Sequence, residues 1–522
     1  MIFLVALIIL STVSEAHRPE AELSGGAVAL GTRTRSGGAQ FLGIAYGEIP
    51  GRFQHSLQTW PYAKGSRVEA NEGGPSCMQS DLVSFENETM SEDCLFLNVW
   101  VPPKTSKKSK LPVMFWIHGG SFTSGSGTPV GKDGVGIFNG EKLAASQNVI
   151  VVTINYRLGP FGFLVLEDGT GGMNGIRDQM LALRWVKDNI AGFGGDRNQV
   201  TIFGESAGGC ATCLLAIAPA AKDLFKRAIV QSGPCVGPWG PNSVQFGNQN
   251  REALKAKLNA SSLASVPAKS LAKLGWPLPS QGYFYDKSVI KHNTSYYFQR
   301  GLVHTNEFII GDNSFDGTSE LFPLFPKTEA DLKAALLASY NATTEAAVMS
   351  RYDPSRFNGS VAAAFVMQNG DNAVTCPSIQ IADMLSGAGK RVYMYYYAHY
   401  FQCVDLAGVL GKVPPLFHGW ASHASEIPAL FGNFGFKDPL NKAWKHCAVS
   451  DGDCNDRIST LLQLLWGDVA HGVDGRAKLW KAYSSSNEKL VNIQDDGVAV
   501  STTWGELRKR GDCAVLPSLD PL

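Results

Sequence analysis

The sequence predicts an α/β protein with a mostly parallel central sheet that is flanked by helices. Continuously apolar runs rich in β-branched and aromatic residues, which are typical of buried strands, occur at 111–117, 149–156, 200–203, 227–230, 307–311 and 392–397. Helical stretches alternate with these runs, and this alternation is typical of a parallel sheet covered on both faces. No linker rich in Pro and Ser divides the chain, so we expect a single large domain.

The clearest helical stretch lies between the second and third strand runs. Its apolar residues recur on one helical face, at Met180, Leu183, Val186 and Ile190. Gly194 and Gly195 follow and predict the end of the helix. In a sheet of this kind ligands bind beyond the carboxyl ends of the strands, so we expect functional residues just after each strand run.

The composition of the 522 residues excludes several other classes of protein. Apolar residues make up 44% of the chain and charged residues 18%, which is enough for a large core and excludes global disorder. Lys plus Arg and Asp plus Glu both number 46, so the formal net charge is zero. Because there is no basic excess, we expect no nucleic-acid partner.

The first residues have the composition of a secretory signal peptide. Residues 2–10 are apolar but too few to span a bilayer, and small residues, Ser14 and Ala16, precede a candidate cleavage point. We therefore predict a signal peptide over residues 1–16 and a secreted, extracellular domain over 17–522. The segment before the apolar run has no Lys or Arg, so a buried N-terminal strand is the alternative. No later run is long enough for a transmembrane helix.

Two further features support export. Acceptors for N-glycosylation occur at Asn87, Asn259, Asn293, Asn341 and Asn358. The ten cysteines allow disulfides, but their pairing cannot be deduced from the sequence alone. Cys210 and Cys213 have the spacing of a zinc or redox pair, yet they lie in an apolar helix-like run without a second Cys/His pair. We predict that both are small core residues.

A pentapeptide at 204–208, Gly-Glu-Ser-Ala-Gly, is the strongest functional signal. It lies between a strand run and a helix of small residues, which is the setting of a G-x-S-x-G nucleophile elbow. Glycines are needed there because the sharp turn leaves no room for a Cβ atom beside the serine. We predict Ser206 as a nucleophile and the backbone N–H of Ala207 as a donor to an oxyanion.

A second glycine-rich segment, His-Gly-Gly-Ser-Phe, follows the first strong strand run at 118–122. A segment of this kind can aim backbone N–H groups at a developing negative charge. We predict that Gly120 and Ser121 complete the oxyanion hole with Ala207. His118 precedes the glycines, a position that suits a structural role better than a catalytic one.

These motifs resemble those of the type-B carboxylesterases, the family that includes carboxylesterases, cholinesterases and cholesterol esterases. Further resemblances are FLGIAYGEIPGRF at 41–53, SEDCLFLNVWVP at 91–102 and NYRLGPFGFL at 155–164. The resemblance runs from about Phe41 to His423 and beyond, and it implies the α/β-hydrolase fold and a serine hydrolase that cleaves carboxylic esters. It implies no cofactor and no metal.

The resemblance also implies the other two members of a catalytic triad, in the chain order Ser, acid, His. The stretch GDNSFDG resembles the family's segment at the acid position, which falls on Asp316, with Asp312 and Glu320 as local alternatives. The family pattern of a His followed three residues later by Glu fits His423, with His418 as the alternative. The family usually has Gly at the positions of Ser121 and Ala424, and more often Glu at that of Asp316.

Disulfide pairings follow from the same resemblance. It implies Cys77 with Cys94 and Cys376 with Cys513, and a pairing of Cys447 with Cys454 across a short polar loop is a further hypothesis.

The loop at 78–93 bears on the substrate. It is short and acidic, and it has no Trp, whereas cholinesterases carry a Trp there that stacks on a quaternary ammonium and lipase-type relatives have a longer apolar lid. We expect a small or medium neutral carboxylic ester, with Trp239 either in an acyl pocket or in the core. A non-enzymatic adhesion or binding protein, a lipase and an amidase are the alternatives, because one fold serves many functions. The sequence does not predict the oligomeric state.

Overall fold

The computed structural model describes residues 18–80, 89–127, 136–274, 283–305, 307–318, 326–399, 421–433, 452–474, 477–494, 498–507 and 512–516. The predicted signal peptide, Asn87, Glu320, His418 and Cys447 lie outside these residues, as does the side chain of Cys454. The sequence-based predictions on these positions therefore stay predictions.

A mixed β-sheet forms the centre of the fold, and it has eleven strands in the described part of the chain. In chain order they are β1 Thr32–Arg33, β2 Ala39–Ala45, β3 Phe96–Val101, β4 Leu111–Ile117, β5 Ile150–Ile154, β6 Gly195–Glu205, β7 Arg227–Gln231, β8 Glu307–Asn313, β9 Val392–Tyr397, β10 Lys489–Ile493 and β11 Ala499–Thr503. Their order across the sheet is β11-β10-β9-β8-β7-β6-β4-β5-β3-β2-β1. Neighbouring strands are parallel from β5 through β4 and β6 to β10. The strands at both edges, β11 on one side and β3, β2 and β1 on the other, pair in antiparallel fashion.

The α-helices within the described ranges connect these strands. They are α1 Glu141–Gln147, α2 Gly159–Phe163, α3 Asn174–Asn189, α4 Ala207–Ile217, α5 Val244–Leu258, α6 Ala268–Lys273, α7 Thr294–Gln299, α8 Glu329–Leu337, α9 Ala342–Arg351, α10 Val361–Gly370, α11 Cys376–Gly387, α12 Ile427–Phe431 and α13 Gly452–His471. None of these described helices combines the length and the apolar character that crossing a membrane requires.

The sheet divides the core into two layers, because successive side chains of a strand point to opposite faces. Phe115 of β4 packs in the cluster that holds α3 and α4, whereas its neighbour Trp116 packs in the cluster that holds α12 and α13. The predicted fold class, an α/β-hydrolase fold with a mostly parallel sheet between helices in a single domain, is confirmed.

Strand β6 is longer than the apolar run at 200–203 predicts. The strand extends back to Gly195, which pairs with Leu111 of β4 across a register shift. The residues from Asp196 to Gln199 carry polar side chains, so their backbone pairing leaves no trace in the apolar pattern. The predicted end of the preceding helix agrees with the structure, since Gly194 has a φ of 87° after a 3-10 turn at 190–193.

Three disulfides lie in the described residues, and two of them match the pairings that the resemblance implies, Cys77 with Cys94 and Cys376 with Cys513. The third joins Cys213 of α4 to Cys235, with 5.7 Å between the Cα atoms. The prediction that Cys213 is only a small core residue is therefore wrong. An apolar helical pattern does not show that the loop after β7 packs against the same face of α4. Cys210 does keep a buried free thiol.

Candidate active site

Ser206 lies in a sharp turn at the carboxyl end of β6. Its φ of 57° is rare for a residue with a side chain, and its N–H donates to the carbonyl oxygen of Gln231 at 2.9 Å. A Cβ atom on Gly208 would lie 2.0 Å from the carbonyl oxygen of Ile117, and one on Gly204 would lie 2.5 Å from that of Gly208. The glycines of the pentapeptide are therefore required by close packing, and they leave the Ser206 side chain partly exposed.

His423 and Asp316 meet beside this turn, although 107 residues separate them. Asp316 follows β8, and the described segment 421–433 is joined to it because the Phe315 N–H donates to the Ala421 carbonyl oxygen at 2.9 Å. The Nδ1 atom of His423 lies 2.7 Å from Oδ1 of Asp316. The other oxygen of Asp316 accepts from the Ser232 hydroxyl at 2.8 Å and from the Asn313 N–H at 2.7 Å.

Glu205 lies beside the other nitrogen of the imidazole ring. Its Oε1 atom lies 3.1 Å from Nε2 of His423, and its side chain is buried. Burial alone lowers the pKa of His423, but the charge of Glu205 and the hydrogen bond and charge of Asp316 outweigh burial and raise it to about 9. The arrangement therefore stabilises an imidazolium.

A third carboxyl group, Glu426, lies behind the histidine. Its two oxygens accept from the Gln231 side-chain amide at 3.0 Å and from the Asn313 side-chain amide at 2.7 Å. Burial raises the pKa of Glu426, and the amide donors act against that rise. Because Asn313 also donates its backbone N–H to Asp316, one residue connects both carboxyl groups.

The glycine-rich segment after β4 lies against the Ser206 turn. A Cβ atom on Gly119 would lie 2.8 Å from the carbonyl oxygen of Glu205, so only glycine allows this approach. Gly120 and Ser121 both have positive φ angles, of 104° and 55°. In the described part of the chain, the N–H groups of Gly120, Ser121 and Ala207 make no hydrogen bond, so they are available to an oxyanion.

His118 has the environment of a structural residue. Its ring stacks on Tyr156 with 4.3 Å between centroids, and its Nδ1 atom lies 2.8 Å from the Gly119 carbonyl oxygen. Burial lowers the pKa of His118 to about 4, so the ring is neutral and donates from Nδ1. In a trans peptide the C=O and N–H groups point in opposite directions, so this bond orients the N–H of Gly120.

The structure brings together every predicted site residue that it describes, and it adds two that sequence reasoning missed. Glu205 was part of the pentapeptide but carried no predicted role, and Ser232 was not singled out. The signal for Ser232 was available, because it follows β7 just as Ser206 follows β6. Asp312, the alternative acid, instead accepts from the Thr375 hydroxyl at 2.7 Å.

In the described ranges, no group of three or more His, Cys, Asp and Glu side chains is arranged to hold a metal ion.

The chain is similar in sequence to known esterases and to a lipase. The chain is 29% identical over 527 residues to acetylcholinesterase-1 of Trittame loki, covering 91% of this chain and 89% of that protein. It is 45% identical over 208 residues to the para-nitrobenzyl esterase of Bacillus subtilis (strain 168), covering 38% of this chain and 41% of that protein. It is 43% identical over 201 residues to the bile salt-activated lipase of Homo sapiens, covering 38% of this chain and 26% of that protein.

Solved structures of PNB esterases have the same fold as this chain. A PNB esterase structure superposes with a TM-score of 0.77 at 27% identity, covering 96% of this chain and 100% of that one. A thermophilic PNB esterase superposes with a TM-score of 0.76, also at 27% identity, and covers 95% of this chain and 100% of that one. The model of the carboxylesterase family matches residues 17–506. The chain belongs to the carboxylesterase family.

Proposed function

We propose that this protein is a secreted serine hydrolase that cleaves small or medium neutral carboxylic esters through Ser206, His423 and Asp316. The observation that carries the proposal is the 2.7 Å contact between His423 and Asp316 beside the strained turn at Ser206. A histidine held by a carboxylate next to a partly exposed serine at the start of a helix is what acyl transfer requires.

The first half of the reaction forms an acyl-enzyme. Ser206 Oγ attacks the carbonyl carbon of the ester while Nε2 of His423 takes the hydroxyl proton. The carbonyl oxygen becomes an oxyanion, and it accepts hydrogen bonds from the N–H groups of Gly120, Ser121 and Ala207. The tetrahedral intermediate then collapses as His423 donates its proton to the leaving alcohol.

The second half releases the acid. Water attacks the acyl-enzyme, His423 takes a proton from that water, and the new tetrahedral intermediate returns Ser206 as the leaving group with the proton from His423. Asp316 holds the tautomer that leaves Nε2 facing the nucleophile. Glu205, at 3.1 Å from Nε2, stabilises the imidazolium that exists between the two proton transfers.

Trp239 supports an acyl pocket of modest size. Its ring lies edge-on to His423, with 5.8 Å between centroids, and it is only partly buried. An aromatic wall at this distance contacts the acyl group of an ester that is attacked by Ser206. Together with the short polar loop at 78–93, which has no Trp, it favours small neutral esters over choline esters and emulsified lipid.

Export of the mature chain after cleavage of residues 1–16 is part of the proposal. The three disulfides support it, because disulfides persist in oxidising compartments. Among the N-glycosylation acceptors, Asn259, Asn341 and Asn358 are exposed, so each can carry a glycan in the folded protein.

The deciding experiment is labelling of the secreted protein with a fluorophosphonate probe. We expect stoichiometric labelling of the wild type, and less than about 1% of its rate in Ser206→Ala and in His423→Ala. His55→Gln, which changes an exposed histidine, is the matched control and should keep the covalent labelling of Ser206. A correctly folded wild type that is not labelled would favour the non-enzymatic alternative.

A further inference from the structure

The loop that follows β7, residues 233–241, is named here the Trp239 loop because it carries Trp239 to the catalytic histidine. Its start is fixed by the sheet, since the Ser232 N–H donates to the Gly311 carbonyl oxygen at 2.8 Å. Its end is fixed at Asn242, whose N–H donates to the Tyr283 carbonyl oxygen at 3.0 Å. The residues between these two points include Gly237 and Pro238, which are exposed.

Side chains rather than the sheet hold this loop. In the described residues, the loop forms hydrogen bonds with the side chains of Cys210, Cys213 and Tyr283. The Cys210 thiol lies 3.5 Å from the Pro234 carbonyl oxygen, and the Cys235 N–H lies 3.2 Å from Sγ of Cys213.

The disulfide is the one covalent anchor of the loop in the described structure. Cys213 is fully buried in α4, the helix that begins immediately after Ser206, and Cys235 is also fully buried. The bond therefore ties the nucleophile helix to a loop whose other end lies over His423. Only three residues separate Cys235 from Trp239, which limits how far the ring can move.

We infer that the Cys213–Cys235 disulfide determines acyl specificity, because it fixes the distance between Trp239 and the Ser206 helix and so limits the length of the acyl group. This inference rests on the proposed function. Without the tether, exposed residues of the loop can move outwards, and Trp239 follows them and opens the space beside His423. The cysteines do not touch the ester, so they are positioning residues.

The free thiol of Cys210 affects how the test is designed. It lies one helical turn before Cys213 and close to the residue that precedes Cys235, so a single Cys213→Ala variant could form a new bond between Cys210 and Cys235. Burial raises the pKa of the Cys210 thiol well above its usual range, which keeps it from attacking the native disulfide. The variant must therefore remove both cysteines of the pair.

The experiment measures kcat/KM for p-nitrophenyl acetate and p-nitrophenyl hexanoate in the double variant Cys213→Ala/Cys235→Ala. We expect the hexanoate-to-acetate ratio to rise about fivefold or more, mostly through KM for hexanoate, because a wider pocket admits the longer chain. Trp239→Ala should move the ratio in the same direction. The matched control, Cys376→Ala/Cys513→Ala, also loses one disulfide and should keep the wild-type ratio within about twofold.

A second variant covers the case in which the double variant does not fold. Tyr283→Phe removes the hydroxyl that donates to the Trp239 carbonyl oxygen, and it leaves every disulfide intact. We expect a change in the same direction of about threefold, which lies outside the range allowed for the control. An unchanged ratio in a folded double variant, or in Tyr283→Phe if only that variant folds, would overturn the inference. Failure of the proposed function differs, because the wild type would then show no fluorophosphonate labelling.

Discussion

The Nε2 atom of His423 lies 3.1 Å from Oε1 of Glu205, the residue immediately before Ser206, the proposed nucleophile. The other ring nitrogen, Nδ1, lies 2.7 Å from Oδ1 of Asp316, so each nitrogen of the imidazole has a carboxylate beside it. This arrangement favours the charged ring and therefore has two opposite effects on the reaction. It stabilises the imidazolium that forms during proton transfer, and it reduces the fraction of neutral base that can start the reaction.

The pH dependence of activity follows from this contact. Only neutral His423 accepts the Ser206 proton, and with a pKa of about 9 the ring is mostly protonated at neutral pH. We expect kcat/KM to rise with pH and to reach half of its maximum near pH 9. Glu205→Gln removes one raising charge, so its midpoint should fall by about one pH unit or more. The measurement is the pH profile for p-nitrophenyl acetate.

The control for this prediction is Glu252→Gln, which changes an exposed carboxylate on α5. It should keep the wild-type midpoint, although it raises the net charge by the same amount as Glu205→Gln does. Equal midpoints in the wild type and in Glu205→Gln would show that Glu205 does not control the ionisation of His423.

Ser232 gives a second prediction, because its hydroxyl donates to Asp316 at 2.8 Å and so holds the carboxylate that orients His423. Ser232→Ala should lower kcat about tenfold and leave KM within about twofold, since a hydrogen bond to a charged group contributes roughly 1.5–3 kcal/mol. The matched control is Thr375→Ala. It removes a hydroxyl that donates to buried Asp312 at 2.7 Å, and it should lower stability without lowering kcat. Equal losses of kcat in both variants would contradict a role for Ser232 through Asp316.

Apolar runs and glycine motifs predicted the strands and turns whose structure depends only on neighbouring residues. Strand β4 and the turn at Ser206 follow from apolar runs and from glycines that no larger residue could replace. Asp316 and His423 were predicted from the resemblance, because a single Asp or His in a loop has no local signature. The role of Glu205 and the bond between Cys213 and Cys235 were missed, since both depend on distant segments that only the fold brings together.

The backbone of Ser121 gives a third prediction. Ser121 has a φ of 55°, in the left-handed region that glycine adopts without strain. Ser121→Gly should raise the free energy of unfolding by about 0.5–1 kcal/mol, because the relief of strain exceeds the added freedom of the unfolded chain. Urea denaturation at equilibrium measures this change. The Asn148→Gly variant is a control, because asparagine tolerates the same region at a φ of 53° and gains less.

The fourth prediction concerns the ion pair between Arg157 and Asp178, which is buried with side-chain exposures of 3% and 0%. Two guanidinium nitrogens of Arg157 each lie 2.7 Å from a different carboxylate oxygen of Asp178, and the Ser56 hydroxyl donates to the same carboxylate at 2.7 Å. Asp178→Asn keeps the size of the side chain but leaves a buried charge without its partner, so we expect a loss of about 3–5 kcal/mol in the free energy of unfolding.

An exposed pair provides the comparison that tests this explanation. Lys107 and Glu22 lie 2.8 Å apart, but solvent screens them because their side chains are 60% and 61% exposed. Glu22→Gln breaks that pair with the same chemical change as Asp178→Asn, and we expect no measurable change in the urea midpoint. If both variants lost the same stability, burial of the Arg157–Asp178 pair would not be the cause. A large loss in Asp178→Asn alone would show that the buried pair stabilises the start of α3, the helix that leads into β6 and the Ser206 turn.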